Sequence, residues 1–175
     1  MIYPNNFEQK IGFNEVRTLL KSKCLSTLGT GLVDDMAMSD DANTIQTWLK
    51  QTREFRLLQT EADDFPLHYF FDLRPTLSRL RIEGTHLDEQ ELFDLFRSLD
   101  TIHLVTRFLN RTTDGEEATD GENTRFPYPT LQWLTVDVTT FPDIVRRIGQ
   151  IVDKFGKIKD SASPELARIR RELAQ

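Results

Sequence analysis

A mainly α-helical fold is predicted by two observations. Apolar residues recur at spacings of three and four through most of the 175 residues, which is the period of one helix face. Residues that start helices stand just ahead of several of these runs: Asp41, Asp88 and Ser163. The spacing predicts a helical-bundle core over residues 1–151. A short appendage, 152–175, follows it.

The elements follow in chain order. Phe7 to Ile11 is expected to form a short anchoring turn. Asn14 is read as the cap of a helix that carries Val16, Leu19, Leu20 and Cys24 on one face. Cys24 ends that apolar stripe, so it is expected to fill core rather than act as a nucleophile. A second helix passes through Leu28, Leu32 and Val33 despite Gly29 and Gly31. Each glycine costs a helix about 1 kcal/mol relative to alanine, so close backbone packing or a helix end is expected there. Ser39, Asp40 and Asp41 start a long helix through Ile45, Trp48, Leu49, Phe55 and Leu58.

Asp63 to Arg74 is a connection rich in helix breakers. Its aromatics, Phe65, Tyr69, Phe70 and Phe71, are expected to pack onto the core. Pro75 opens a short helix with Leu77, Leu80 and Ile82, which Gly84 ends. Asp88 and Glu91 have capping-box spacing and open the strongest helix, Glu89 to about Asn110. Ten large apolar residues between Leu92 and Leu109 cover more than half its circumference, so it should be packed on two sides. Thr112 to Asn123 holds five acids and no base, and is expected to be a mobile surface loop. It lacks the alternating acids and closing Glu of a calcium loop. Helical segments resume at Pro129–Leu134, with Trp133 expected in the core, and at Pro142 to about Val152.

Residues 152–175 read as a tight turn at Gly156 and then a deliberately started helix. Ser163 is placed to cap it, Pro164 fits its first position, and Glu165 adds negative charge to its positive end. Leu166, Ile169 and Leu173 form one narrow stripe, with Arg168, Arg170, Arg171 and Glu172 on the other faces. No Gly, Asn or Pro stops this helix before Gln175, which suggests a piece of a longer protein. The competing expectation is a naturally frayed C-terminus.

Composition narrows the function. No apolar run approaches a membrane span. The N-terminus has no basic region followed by an apolar core, and Cys24 is the single cysteine, so a cytoplasmic protein is expected. The net charge of −6 is uneven: residues 142–175 carry eight Lys or Arg against five Asp or Glu, and the rest is acidic. An acidic body repels phosphate backbones, so nucleic-acid or partner contacts are expected at the basic C-terminal arm, at Arg168, Arg170 and Arg171, or in parts of a longer chain beyond it. His68, His86 and His103 lack metal-ligand spacing, and no nucleophile–base pair stands out. Gly156-Lys157 lacks the upstream glycine of a phosphate loop, and Ile158 follows it. No catalytic, cofactor or metal residue is expected in this chain.

Several runs resemble the second bacterial branch of the MutS family, the form without mismatch-reading domains. Leu19-Leu20 with Cys24-Leu25-Ser26-Thr27-Leu28-Gly29 is similar to the start of its core domain. Trp48 to Phe55 resembles the next core helix, and Glu83 to Leu92 fits a G-x-x-L-x-x-x-E-L segment. Phe155 to Asp160 followed by Ala162-Ser163-Pro164-Glu165-Leu166 is the most specific match. It resembles the family's short β-hairpin leading into a lever helix, with Gly156 and Asp160 in the hairpin and Ser163, Pro164 and Glu165 at the lever cap. The resemblance covers nearly the whole chain, and the acidic loop looks like an insertion.

The resemblance implies a helical core joined by long levers to a clamp. It also implies a parent with a P-loop ATPase domain using ATP and Mg, and a terminal Smr nuclease domain. Such parents are homodimers that act on structured DNA and are linked to stalled-ribosome rescue. The expected role of this chain is structural, with no catalysis of its own. Two alternatives compete: a helical module that docks a partner through Phe65–Phe71, and an enzyme with an unrecognised carboxylate site.

Overall fold

The computed structural model describes residues 6–67, 69–112 and 126–173. The expected acidic loop at Thr112–Asn123, and the calcium reading weighed for it, fall outside these residues except for Thr112. Nine α-helices and two 3-10 turns are found among the described residues.

Helices α1 (Phe7–Lys10), α2 (Phe13–Lys23) and α3 (Thr27–Asp34) form the N-terminal group. Gly12, in the left-handed region at φ 75°, joins the first two. The helix therefore begins at Phe13, and Asn14 lies inside its first turn rather than at the cap. The glycine makes the sharp entry that an asparagine cap would otherwise provide. Arg17 gathers the group by reaching both the Glu8 carboxylate and the Met36 carbonyl. Ser26 caps α3 through the Gly29 N–H. A Cβ at Gly29 would lie 3.3 Å from that of Cys24, so the expected close packing occurs there. Gly31 faces open space. Cys24 is half-buried at the end of α2.

Helix α4 (Ala42–Glu61) starts at Asp41, whose carboxylate accepts the Thr44 N–H at 2.8 Å. Its inward contact is narrower than its apolar sequence suggests. Leu58 is 1% exposed, whereas Leu49 is 65% exposed and Trp48 half-exposed. Only the C-terminal half of α4 meets the core. Helix α5 (Arg74–Arg79) is a short turn with Pro75 at its second position, and Gly84 at φ 81° closes the segment behind it.

Helix α6 (Glu89–Leu109) has the full reciprocal capping box of Asp88 and Glu91. Its two-sided packing takes the form of two ends serving two cores. Phe108 and Leu109 join Leu58, Tyr128 and Leu131, with Phe55, Phe65 and Val105 around them. Phe93 joins Ile148 and Val152, with Leu92, Leu95 and Phe96 around them. The first core is closed by α7 (Pro129–Gln132), the second by α8 (Pro142–Ile151). Glu54 of α4 accepts both the Thr130 and Leu131 N–H groups at 2.8 and 3.0 Å, serving the free end of α7 as a cap would.

Trp133 corrects an expectation. It begins the 3-10 turn Trp133–Thr135 and is 72% exposed. The turn directs Thr135 inward, where its hydroxyl accepts from Asn110, and leaves the indole outside. The aromatic connection is divided. Phe65 sits edge-on to Phe55 and Phe108 in the core. Tyr69 and Phe71 stack on one another and flank the Arg97 guanidinium at 3.8 and 4.8 Å.

The exposures separate two substitutions. Leu58→Ala is expected to lower unfolding free energy by about 2–5 kcal/mol, as a core truncation. Trp133→Ala is expected to change it by less than about 0.5 kcal/mol. Urea denaturation followed by far-UV circular dichroism checks both.

Candidate functional site: a turn that seats an outgoing helix

The region from Ile151 to Leu173 is built onto α6 and α8. Helix α8 crosses α6 closely because Gly149 faces Phe96; a Cβ there would lie 3.3 Å from the ring. The chain then reverses. Val152 and Ile158 form one antiparallel bridge. The expected hairpin is thus reduced to a single bridge with no strand on either side. Asp153 N–H donates to the Lys157 carbonyl at 2.8 Å, and Lys159 N–H donates to the Ile151 carbonyl at 2.8 Å.

Asp153 organises the turn from inside. One carboxylate oxygen accepts the Phe155 and Lys157 N–H groups at 2.8 and 2.9 Å, an Asx-type turn. The Lys157 hydrogen bond, above all, holds this carboxyl below the ordinary aspartate range. Gly156 is buried with φ 81°. A Cβ at Gly156 would lie 2.6 Å from Phe93 Cδ1 and 2.9 Å from its Cγ. Conformation and space therefore both demand glycine, because the turn lies flat on a ring of α6.

Charges fix the same turn from outside. Lys157 Nζ lies 3.0 Å from the Glu89 carboxylate. That hydrogen bond, then the lysine charge, and then the Ile158 N–H keep the Glu89 carboxyl below its usual range. Lys159 donates to the Gly149 carbonyl at 2.6 Å. A depression of about 350 Å³ lies between the start of α6 and the turn, lined by Asp88, Glu89, Gln90, Phe155, Gly156 and Lys157.

The 3-10 turn Asp160–Ala162 leads into α9 (Pro164–Leu173). Ser163 Oγ accepts the Leu166 N–H at 3.0 Å, so the cap forms as its sequence implies, with Pro164 in the first position. Arg170 returns to this base. Its guanidinium donates to the Ile158 carbonyl at 3.0 Å and pairs with Asp160. Gly156, Asp160, Ser163 and Arg170 are thereby brought into one assembly. Arg168 and Arg171 are not part of it. Arg168 pairs with Glu165 and Glu172 along α9, and Arg171 donates to the Ala167 carbonyl. Exposure rises outward along the apolar stripe: Leu166 is half-buried and Leu173 is 81% exposed.

Sequence reasoning missed Asp153, Phe93 and the Lys157–Glu89 pair. Asp153 was signalled by its position three residues before Gly156, which is turn chemistry. Phe93 and Glu89 lie some sixty residues away and gave no local signal. Among the described residues, no group of three or more His, Cys, Asp or Glu is placed to hold a metal ion. No described helix is long and apolar enough to cross a membrane.

A turn seated on a helical core and feeding a capped outgoing helix is the arrangement that the MutS-type resemblance implies. Over nearly its whole length the chain is similar to proteins named Endonuclease MutS2. That of Levilactobacillus brevis is 28% identical over 163 residues, covering 93% of this chain and 19% of the relative. The Symbiobacterium thermophilum protein is 29% identical over 161 residues, or 92% and 18%. The Enterococcus faecalis protein is 26% identical over 163 residues, again 93% and 19%. The chain spans about a fifth of the length of the curated relatives it matches. No family profile matches it.

Two consequences are measurable. Gly156→Ala is expected to lower stability by roughly 2–5 kcal/mol, from positive-φ strain plus overpacking on Phe93. Phe93→Leu in the same chain should relieve the steric part only, seen as a coupling energy in a double-mutant cycle. The lowered Asp153 pKa makes its carboxylate stabilising above the unfolded value, with loss as pH falls through the folded one. Stability should therefore decline below about pH 4 with a contribution that Asp153→Asn removes, read from thermal melts across pH.

Proposed function

We propose that this chain is the structural core and lever base of a MutS-like DNA-binding ATPase. Its own residues perform no catalysis. Residues 1–151 act as the core, and residues 152–175 form the lever base. The observation that carries the reading is the assembly of Gly156 on Phe93, Ser163 at the cap of α9 and Arg170 on Ile158 and Asp160. It fastens the base of a helix whose outer end extends from the body. A helix rises about 1.5 Å per residue, so a small rotation at such a base becomes a large displacement further out. The similarity to proteins named endonucleases, of which this chain spans about a fifth, supports a larger parent.

In that parent, ATP and Mg would be held by a P-loop domain, and nuclease chemistry by a separate Smr domain. The parent would be a cytoplasmic homodimer acting on structured DNA in repair or recombination control, or on stalled ribosomes. The basic residues Arg168, Arg170 and Arg171 are the places where α9 would meet such a partner. Their engagement within the chain makes any contact by this segment alone weak. The aromatic connection is occupied by Phe55, Phe108 and Arg97, which favours core packing over partner docking.

Antibodies raised against the chain test the proposal on the native product. A protein several times the 20.4 kDa of this chain, with ATPase activity stimulated by branched DNA, is expected. The isolated chain should neither hydrolyse ATP nor bind four-way-junction DNA below about 1 μM at physiological salt. A native product of 20.4 kDa would sink the reading.

A further inference from the structure

We infer that Arg170 sets the direction of α9: its guanidinium, held on the Ile158 carbonyl and the Asp160 carboxylate, clamps the second turn of the helix to the turn below it. That α9 serves as a lever rests on the preceding reading; that Arg170 orients it does not.

The backbone of Ile158 is the middle link. Its carbonyl accepts from Arg170, and its N–H helps to hold the Glu89 carboxyl at the start of α6 below its usual range. Glu89 also holds Lys157, and Arg170 adds to the positive surroundings of Glu89. Lys157, Glu89, Arg170 and Asp160 thus alternate in sign across three elements: α6, the turn and α9. A network of this kind has more effect than an isolated exposed pair, because Glu89 and Arg170 each face more than one partner.

Little else determines the angle. The main packing partner of α9 is the 3-10 turn Asp160–Ala162. The Ser163 cap fixes where the helix starts, and a cap bonded to the first turn leaves the helix free to pivot about it. Leu166 is half-buried, and Ile169 and Leu173 are exposed, so apolar burial fades after the first turn. Arg168 and Arg171 make their contacts within α9 and cannot restrain it against the body. Arg170 is the α9 side chain that reaches across.

The clamp is partly exposed and ionic, so salt should loosen it. At about 1 M salt the screening length falls to about 3 Å. The direction of α9 is therefore expected to depend on ionic strength while the apolar cores beneath it do not.

The test is the distance between spin labels at Glu172→Cys on α9 and Arg107→Cys on α6, in the full chain carrying Cys24→Ser. Pulsed electron paramagnetic resonance should give a narrow distribution at low salt. Arg170→Ala should raise the population of displaced orientations roughly fivefold, with thermal midpoint and helicity nearly unchanged. Arg171→Ala should leave the distribution narrow. A folded Arg170→Ala chain with an unaltered distribution overturns the inference. Should that variant lose helicity, the otherwise unsubstituted labelled chain decides: broadening between about 0.05 and 1 M NaCl supports the clamp, and invariance overturns it. Broadening in a chain whose native product proves to be 20.4 kDa would keep the clamp and remove the lever.

Discussion

The structure depends on one constraint: α6 must supply apolar surface at both ends to partners that do not form a core with one another. Its C-terminal half, at Phe108 and Leu109, meets Leu58 of α4 and Leu131 of α7. Its N-terminal half, at Phe93, meets Ile148 and Val152. One rigid helix carries both clusters, so a displacement of either is felt through α6. The full capping box at Asp88 and Glu91 is consistent with that load, and one Arg79 guanidinium nitrogen donates to both Glu91 carboxylate oxygens. Interdigitated cores transmit small shifts rather than absorb them.

Helical starts were the most legible part of the sequence. Asp41, Asp88 and Ser163 all accept N–H groups of the first turn, because a cap is a bond between near neighbours. Burial was less legible. Ile45, Trp48 and Leu49 have helical spacing like Leu58, yet only Leu58 is fully enclosed. Periodicity states which residues share a face; it does not state how far along the helix a partner extends. Trp133 shows the same limit in a 3-10 turn, where a change of period moved the indole outward. Asn14 shows it at a cap, where Gly12 entered the left-handed region and moved the helix start.

In the candidate site the local turn and cap residues were legible in the sequence and the distant ones were not. Gly156, Ser163 and Pro164 declare themselves by residue type. The seat beneath the turn comes from Phe93 and Glu89, contributed by a helix some sixty residues earlier, and no spacing rule reaches that far. The basic arm looked like an exposed set of three arginines. In the structure Arg170 is committed to Ile158 and Asp160, and Arg168 to its own helix. Positive residues on one segment are therefore not equivalent, and counting them overstates the charge free to meet a phosphate.

The contact between Gly156 and Phe93 also restricts how this protein can change over generations. A side chain at residue 156 has no room while the aromatic ring is in place, and removing the ring first opens a gap in the core shared with Ile148 and Val152. Either single step is harmful, and the left-handed backbone at 156 remains a penalty after both. Substitutions at the two sites are therefore coupled, and the turn tolerates change no more freely than the buried core it covers.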